Sequence, residues 1–455
     1  MKNFWQNVID SLKGVERDYT HVPLKSAIVF LAVPMVLEML MESLFAVVDI
    51  YFVSELGDQA VATVGLTESV LTIVYSLGFG ISMAATAIVA RRIGEKKTEK
   101  ANKAAAQTML LGLFVSIIIS FVGIVFPAEI LELMKAKPET IKNGVSFTRW
   151  MIGGNFVILF LFLLNGIFRG AGNAVLALRV LIISNGINII LDPILIHKYG
   201  LVGAAYATNI GRATAVATQF YFLFKGSGIL KLASYHFKPK LDLIWNIVKV
   251  SAGGFGQFVV ASASWIFLMR IMSGFGDSSV AGYTFAIRVF VFTILPAWGL
   301  ANAAATLVGQ NLGAKNTDRA EEAVWITARY AAIFLGIVSI FYFAFAPQII
   351  GVFAESSESL KHGIRCMRFL SVSYIFFAYG MVVAQAFNGA GDTKTPTILN
   401  FFAFWIIQIP LAYLLTEFLN MNQDGVYIAI LTSETLLAIV AIYIFKMGNW
   451  KKTEV

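Results

Sequence analysis

The stretch IVARRIGEKKTEKANKA, residues 88–104, has a counterpart in LVGQNLGAKNTDRAEEA, residues 307–323, displaced along the chain by 219 residues. The same displacement relates two further pairs of segments, LGDQAVATVG with FGDSSVAGYT (56–65 and 275–284) and RGAGN with NGAGD (169–173 and 388–392). Three matches in one register indicate that the chain contains two copies of one structural unit.

The composition places both copies in a membrane. The chain has 455 residues, of which 58% are hydrophobic and 14% charged, and its mean hydropathy is +0.75. Soluble domains carry about 25% charged residues. Apolar segments long enough to cross a hydrocarbon core of roughly 30 Å recur along the sequence. We interpret twelve such segments as helices 1 to 12: 24–53, 58–91, 101–126, 141–167, 174–197, 201–224, 242–273, 277–310, 321–346, 360–387, 394–418 and 425–446. Since each segment must satisfy its own backbone hydrogen bonds in lipid, all are predicted to be α-helical.

The loops fix the orientation. Lysine and arginine concentrate in the loops after helices 2 and 6 and at the carboxy terminus, and such loops stay in the cytoplasm. Both termini are therefore predicted to be cytoplasmic, and the +8 net charge reflects topology rather than nucleic-acid binding. The repeat predicts two pseudo-symmetric six-helix bundles of the same orientation, a plan common among transporters. We divide the chain into an amino-terminal lobe (1–226), a cytoplasmic linker (227–241) and a carboxy-terminal lobe (242–455).

The sequence offers little to an enzyme. Its only cysteine is Cys366, and its four histidines lie far apart, at His21, His197, His236 and His362. Neither a disulfide framework nor a cluster of metal-binding histidines or thiolates is expected. We therefore expect no enzymatic activity and no cofactor.

Several segments resemble the multidrug and toxic compound extrusion (MATE) family. They are VVDIYFVSELGDQAVATVG (47–65), the GAG[ND] turn of each half, NIILDPILI (188–196) and GLVGAAYATNIG (200–211). The resemblance implies a V-shaped pair of six-helix lobes that exports small organic, often cationic, compounds in exchange for protons or sodium ions. From the compact loops we expect a prokaryotic inner membrane, and we expect a monomer surrounded by lipid.

Helix 1 carries three acids, Glu38, Glu42 and Asp49, within the sequence LEMLMESLFAVVD. At about 100° per residue their side chains fall within roughly 40° of one another on the helix surface. Ionisable side chains within a membrane are costly and usually face a cavity or a partner. We expect this acidic face to bind substrate or cations, or to hydrogen-bond to neighbouring helices. Asp49 also matches the family's helix 1 aspartate.

Helix 5 places Asp192 one turn after Asn188 and directly before Pro193. Because proline has no N–H, the carbonyl of Ile189 loses its helical partner. Oxygen ligands of this kind suit a sodium ion, to which Asp49, Asn188 and Asp192 would all contribute. The alternative ligand is a proton, because a buried carboxyl beside a second one favours its neutral form. By the family resemblance, Asn188 and Thr208 belong to the same cation site.

The second half departs from this pattern. Gln257 stands where the repeat would place an equivalent of Glu38, and helix 10 has no acid in its membrane segment. We therefore expect no charged cation site in this lobe, although Gln257 is a candidate substrate contact. Glu68 and Arg288 lie at nearly equivalent repeat positions, so we consider a pair between them that closes an outer gate. The alternative is that each is satisfied within its own lobe.

Two other functions fit the architecture less well. A flippase for lipid-linked sugars would need a cleft rich in lysine and arginine to hold pyrophosphate, whereas the embedded charges identified above in the first half are acidic. Arg288 and Arg179 are the exceptions. A membrane-embedded enzyme would need a catalytic serine–histidine couple, metal ligands or a paired-aspartate protease motif. Cation-coupled export is therefore the preferred function.

Overall fold

The computed structural model describes residues 2–15, 17–226, 228–354 and 356–455, and within those ranges every regular element is a helix. Helices 1 to 6 have the bounds Leu24–Ser54, Asp58–Gly94, Thr98–Val125, Pro138–Gly170, Ala174–Tyr199 and Leu201–Lys225. Helices 7 to 12 have the bounds Leu241–Ser273, Asp277–Gly313, Thr317–Gly351, Ser357–Ala390, Lys394–Phe418 and Asp424–Lys446. Shorter helices are Lys2–Ser11, Pro127–Leu133, Ser234–Phe237 and Asn449–Lys452.

The twelve predicted segments each lie in one of these helices, and each predicted end is within five residues of the observed one. Eleven of the helices in the described ranges are long and apolar enough to cross a membrane. The remaining one is helix 6, which has 25 residues but contains glycine, alanine, threonine and asparagine in its first half and carries Arg212 near its centre. The prediction of an all-α membrane protein with twelve spanning helices is confirmed.

Helices 4, 9 and 11 depart from regular geometry, helix 9 at Phe345, where φ is −101° and ψ is 15°. Helix 4 is interrupted at Gly154, where an added Cβ would lie 2.6 Å from the carbonyl oxygen of Trp150. Helix 11 has π-helical hydrogen bonding over Phe402–Gln408 and Leu414–Phe418, on either side of Pro410. Since Pro410 has no N–H, the regular α-helical pattern cannot continue through it.

The repeat is also visible in three dimensions. A Cβ on Gly94 would lie 1.9 Å from the carbonyl oxygen of Gln310, and a Cβ on Gly313 would lie 2.1 Å from that of Arg91. These contacts are reciprocal, because Gly94 and Gly313, like Arg91 and Gln310, are 219 residues apart. Only glycine permits so close an approach. The two six-helix halves therefore face each other across a pseudo-two-fold axis, as the repeat predicts.

Each half has an apolar core of its own. One core draws on buried residues between Leu268 and Trp450, and another on residues between Val53 and Ala205. The halves meet where helices 1 and 2 pack against helices 7 and 8. Close backbone contacts lie toward the basic loops, at Gly80 with Ser251 and at Gly94 with Gln310.

At the opposite end, helices 1, 2 and 8 expose apolar side chains, including Val47, Tyr51, Ile73 and Phe292. The close backbone contacts named above join the halves at the end with the basic loops, and we infer a cleft between the halves at the other end.

The connection between the halves packs against helix 3. The Gln107 side chain donates hydrogen bonds to the carbonyls of His236 (2.8 Å) and Lys238 (3.0 Å). Ser227, at the head of the predicted linker 227–241, lies outside the described residues, as do Met1 and Glu16 of the predicted lobe 1–226. The exact boundaries of the lobes stay a prediction.

Candidate functional site

The three acids of helix 1 have different partners. Glu38 is fully buried and accepts hydrogen bonds from Asn165 (2.9 Å) and Arg169 (3.3 Å) of helix 4. Arg169 also donates to the Ser82 hydroxyl of helix 2 at 3.0 Å. Glu38 therefore ties helices 1, 2 and 4 together near the closed end of the cleft. This is the structural alternative that the sequence left open for this residue.

Glu42 forms an ion pair with Arg212 of helix 6 at 3.2 Å. The Arg212 guanidinium also lies 4.7 Å from the centre of the Phe45 ring. Glu68 of helix 2 is half-buried and interacts electrostatically with this same arginine and with Asp49. Arg212 therefore serves more than one carboxylate inside the amino-terminal half.

Asp49, Glu68 and Asp192 form no ion pair among the described residues of this pocket. Asp49 accepts a hydrogen bond from the Thr208 hydroxyl at 3.2 Å. Asp192 is completely buried and accepts a hydrogen bond from the Asn188 amide at 3.1 Å. The two carboxyl groups interact electrostatically. The structure thus brings together, from helices 1, 5 and 6, the four residues predicted to form the cation site.

Two oxygen atoms of this group lack a donor. Asn188 Oδ1 and Asp192 Oδ2 are both buried and have no hydrogen-bond partner in the described chain. Buried acceptors without a donor are costly, so a bound species is expected to satisfy them. A proton on Asp192 or a small cation held by these oxygens would do so. Helix 5 continues through Pro193 to Tyr199. The two oxygens therefore lie within a continuous helix and not at a helix end.

The balance of charge favours a cation. Five acids line the interior of the amino-terminal half, Glu38, Glu42, Asp49, Glu68 and Asp192, and two arginines, Arg169 and Arg212, face them. Arg169 pairs with Glu38 and Arg212 with Glu42, and Arg212 also interacts electrostatically with Glu68 and Asp49. The five acids therefore exceed the two arginines by three, and Asp192 has no arginine among its electrostatic partners. Bound protons or cations can supply the missing positive charge.

In the carboxy-terminal half, Gln257 is 7% exposed and donates to Asn388 at 2.9 Å and to the carbonyl of Thr393 at 3.3 Å. It is held inside its own lobe. Arg288 is exposed, and no ion pair joins it to Glu68 in the part of the chain that the structure describes. The proposed gate pair is therefore not formed here, because Glu68 faces Arg212 of its own lobe, which was the stated alternative.

An aromatic cluster forms the floor of the cleft. Phe79 stacks on Phe258 with ring centres 4.5 Å apart, and Trp298 lies 5.5 Å from Phe258 and 6.5 Å from Phe79. We call these three rings the aromatic floor. Glu68 lies eleven residues before Phe79 on helix 2, toward the open end, a rise of about 16 Å. The floor closes the cleft toward the basic loops.

Sequence reasoning missed both arginines and two amides of the network. Arg169 opens the RGAGN turn, and Arg212 lies within the sixth predicted membrane segment. Gln219 donates to Asn165 at 2.6 Å and extends the network to helix 6. An inventory of every ionisable residue within the predicted spans, extended by one turn at each end, finds both arginines, since such residues pair with embedded acids.

The chain is similar to known proteins over most of its length. The model of the MatE family matches residues 34–194 and 255–414, one segment in each half. The probable multidrug resistance protein YoeA of Bacillus subtilis is 23% identical over 433 residues, which cover 93% of each chain. The multidrug export protein MepA of Staphylococcus aureus is 24% identical over 426 residues, again 93% of each chain. A solved structure described as an outward-facing multidrug resistance MATE family transporter is 29% identical, with a TM-score of 0.90 over 97% of this chain and 99% of that one.

Proposed function

We propose that this chain, which belongs to the multidrug and toxic compound extrusion (MATE) family of membrane transporters, exports small organic cations in exchange for protons or sodium ions. The observation that carries the proposal is the pair of carboxyl groups of Asp49 and Asp192. They lie together inside the amino-terminal half, without an ion pair, beside two acceptor oxygens that have no donor.

The coupling follows from competition for negative charge. When a proton or sodium ion binds at Asp49 and Asp192, the pocket loses charge and its attraction for a cationic substrate falls. The substrate then leaves through the open end of the cleft. When the cation departs on the other side, the recharged acids attract a new substrate. A ligand changes a conformational equilibrium only as far as its affinity differs between the two states.

The closed end determines the direction. It carries the basic loops, which are expected in the cytoplasm. The described arrangement then corresponds to an outward-facing state in which the aromatic floor seals the cytoplasmic side. We place the protein in the inner membrane of a prokaryote, with both termini cytoplasmic, as a monomer surrounded by lipid. The names of the relatives, multidrug resistance and multidrug export proteins, support small organic compounds as substrates.

The flippase alternative is disfavoured by the charges. A pyrophosphate group would enter a pocket in which acids outnumber arginines, with both arginines already engaged by Glu38 and Glu42. No cofactor is required for the proposed exchange.

The test is export from proteoliposomes of a fluorescent organic cation, with a proton gradient and a sodium gradient imposed separately. We expect one of the two gradients to drive export. Asp49→Asn and Asp192→Asn should each reduce gradient-driven export at least about tenfold, because embedded acids of this kind carry the coupling ion. The matched control is Asp318→Asn, which changes an exposed aspartate at the start of helix 9. Normal export by both pocket variants would refute the proposal.

A further inference from the structure

The carboxy-terminal half contains a buried acid on helix 12, although no charged cation site was expected in this lobe from helices 7 and 10. Glu434 of helix 12 is 6% exposed, and it forms neither a hydrogen bond nor an ion pair with the described part of the chain. It lies on the buried face of the helix, with Ile430 one turn before it and Ala438 one turn after. A carboxylate in this position, within a membrane, would be strongly destabilising.

A second unpartnered polar side chain lies at the same depth. Helices 11 and 12 are in contact near their connecting loop, where a Cβ on Gly425 would lie 2.9 Å from Thr416. Gln408 is eight residues before that contact and Glu434 nine residues after it, so both lie about 12–14 Å from the contact along their packed helices. Gln408 is 2% exposed and forms no hydrogen bond among the described residues.

The surroundings supply no counter-charge. A Cβ on Gly380 of helix 10 would lie 3.5 Å from Ala438, so Glu434, one turn earlier, is level with residues near 376. The titratable groups of helix 10 nearest that level are Tyr374 and Tyr379. On helix 11 the nearest is Tyr413.

Helix 7 is located by the Trp405 indole, which donates to the carbonyl of Val260 at 3.1 Å. The charged side chains of helix 7 nearest that level, Lys249 and Arg270, lie about 15 Å from it along the helix. No charged group from helices 7, 10 or 11 therefore faces Glu434.

The adjoining helix has irregular backbone hydrogen bonding. Helix 12 packs against Phe402–Gln408 and Ile409–Tyr413 of helix 11. Pro410 has no N–H to donate to the Ile406 carbonyl, and π-helical segments of this kind are frequent at functional sites. Glu434 thus lies on a helix that packs against a segment of helix 11 with irregular geometry.

We propose that Glu434 and Gln408 form a second proton-binding site, in the carboxy-terminal lobe, which is loaded in the outward-facing state and emptied during the transport cycle. The release of the proton during the transport cycle rests on the proposed function. Its ligand is a proton rather than a sodium ion, because one carboxyl group and one amide supply too few oxygen ligands for a metal ion.

The position equivalent to Glu434 in the amino-terminal half carries a positive charge. Gly203 and Gly425 are equivalent, since each meets the end of the preceding helix closely. Nine residues later, helix 6 carries Arg212 and helix 12 carries Glu434. Arg212 is a fixed cation held by Glu42, whereas Glu434 has no fixed counter-charge and can exchange a proton.

A labelling experiment tests the site without requiring transport. Dicyclohexylcarbodiimide reacts with protonated carboxyl groups in apolar surroundings, and mass spectrometry locates the adduct. We expect Glu434 of the purified protein to be labelled at acidic pH and the label to fall at least about fivefold at alkaline pH, as the neutral form is lost. Glu434→Gln should remove the adduct from the helix 12 peptide, and Ser433→Ala should leave it unchanged. A label that is absent, or constant at every pH, would overturn the proposal.

A second measurement tests the role in transport. The number of protons that enter per substrate exported is obtained from the voltage at which net flux stops in proteoliposomes. Glu434→Gln, which is nearly isosteric and neutral, should retain export with about one proton fewer per cycle. An unchanged ratio would refute the role in coupling. If the wild-type chain exports nothing, the proposed function fails, while the labelling result still decides whether Glu434 exchanges a proton.

Discussion

An equivalent buried contact joins the first and fourth helices of each lobe, but it is charged in the amino-terminal lobe and neutral in the carboxy-terminal lobe. In the amino-terminal lobe, Arg169 of helix 4 donates to Glu38 of helix 1 at 3.3 Å. In the carboxy-terminal lobe, Gln257 of helix 7 donates to Asn388 of helix 10 at 2.9 Å. The pairs are equivalent, since Gln257 and Asn388 lie 219 residues after Glu38 and Arg169. All four side chains are buried.

This comparison separates what the fold requires from what the site requires. The fold requires a buried polar contact between the first and fourth helices of each bundle, and either chemistry provides it. The charged version occurs only where further acids, Glu42 and Asp49, lie nearby. The charges of Glu38 and Arg169 are therefore a feature of the candidate site and are not required for packing of the bundle.

The largest effect is expected when one charge of the buried ion pair between Glu38 and Arg169 is removed. Arg169→Asn leaves Glu38 buried without a counter-ion, and we expect a loss of about 3–5 kcal/mol in the free energy of unfolding. Denaturant titration in mixed micelles measures it. The loss should shrink as the pH is lowered, because protonation of Glu38 removes the uncompensated charge.

The double variant Glu38→Gln/Arg169→Asn rebuilds the neutral pair of the other lobe. It should recover most of the stability, since a buried ion pair is replaced by a neutral one. If the double variant is as unstable as the single one, the two pairs are not equivalent and the comparison is wrong.

A smaller effect is expected in the carboxy-terminal lobe. Asn388→Leu removes one neutral partner and leaves the amide of Gln257 with the Thr393 carbonyl. The expected loss is about 1–3 kcal/mol, the cost of a buried polar group that loses a hydrogen bond. Unlike the Arg169 variant, this one should show the same loss at every pH, because neither residue ionises. Gln257→Leu/Asn388→Leu serves as the control, and a pH-dependent loss in Asn388→Leu would contradict the assignment.

Much of the fold is predictable because membrane insertion imposes simple rules. Apolar length sets the twelve helices, and the 219-residue repeat sets their grouping into two halves. The interruption at Gly154 and the π-helical turns around Pro410 are local responses to packing. Hydropathy does not report packing, so these features could not be read from it.

The site was predictable only in part. Asp49, Asn188, Asp192 and Thr208 were identified from acids within the spans and from the family resemblance, and the structure brings them together. The partners of Glu38 and Glu42 depend on how helices 4 and 6 rotate against helix 1, which helix periodicity alone does not fix. Glu434 was missed because only helices 7 and 10 of that lobe were compared with their counterparts.

The smallest effect concerns the two charges that do not meet across the cleft. In the described structure Glu68 interacts with Arg212 and Arg288 is exposed, so a double-mutant cycle of Glu68→Gln and Arg288→Gln should give a coupling energy below about 0.5 kcal/mol. A larger coupling would mean that the lobes already share a charge pair in this state. A gate pair would appear only when the outer ends of helices 2 and 8 approach. Glu68→Cys and Arg288→Cys, introduced after Cys366→Ala, should therefore crosslink only under conditions that close the cleft. If they never crosslink, the lobes do not meet through these residues, and each lobe balances its charges alone.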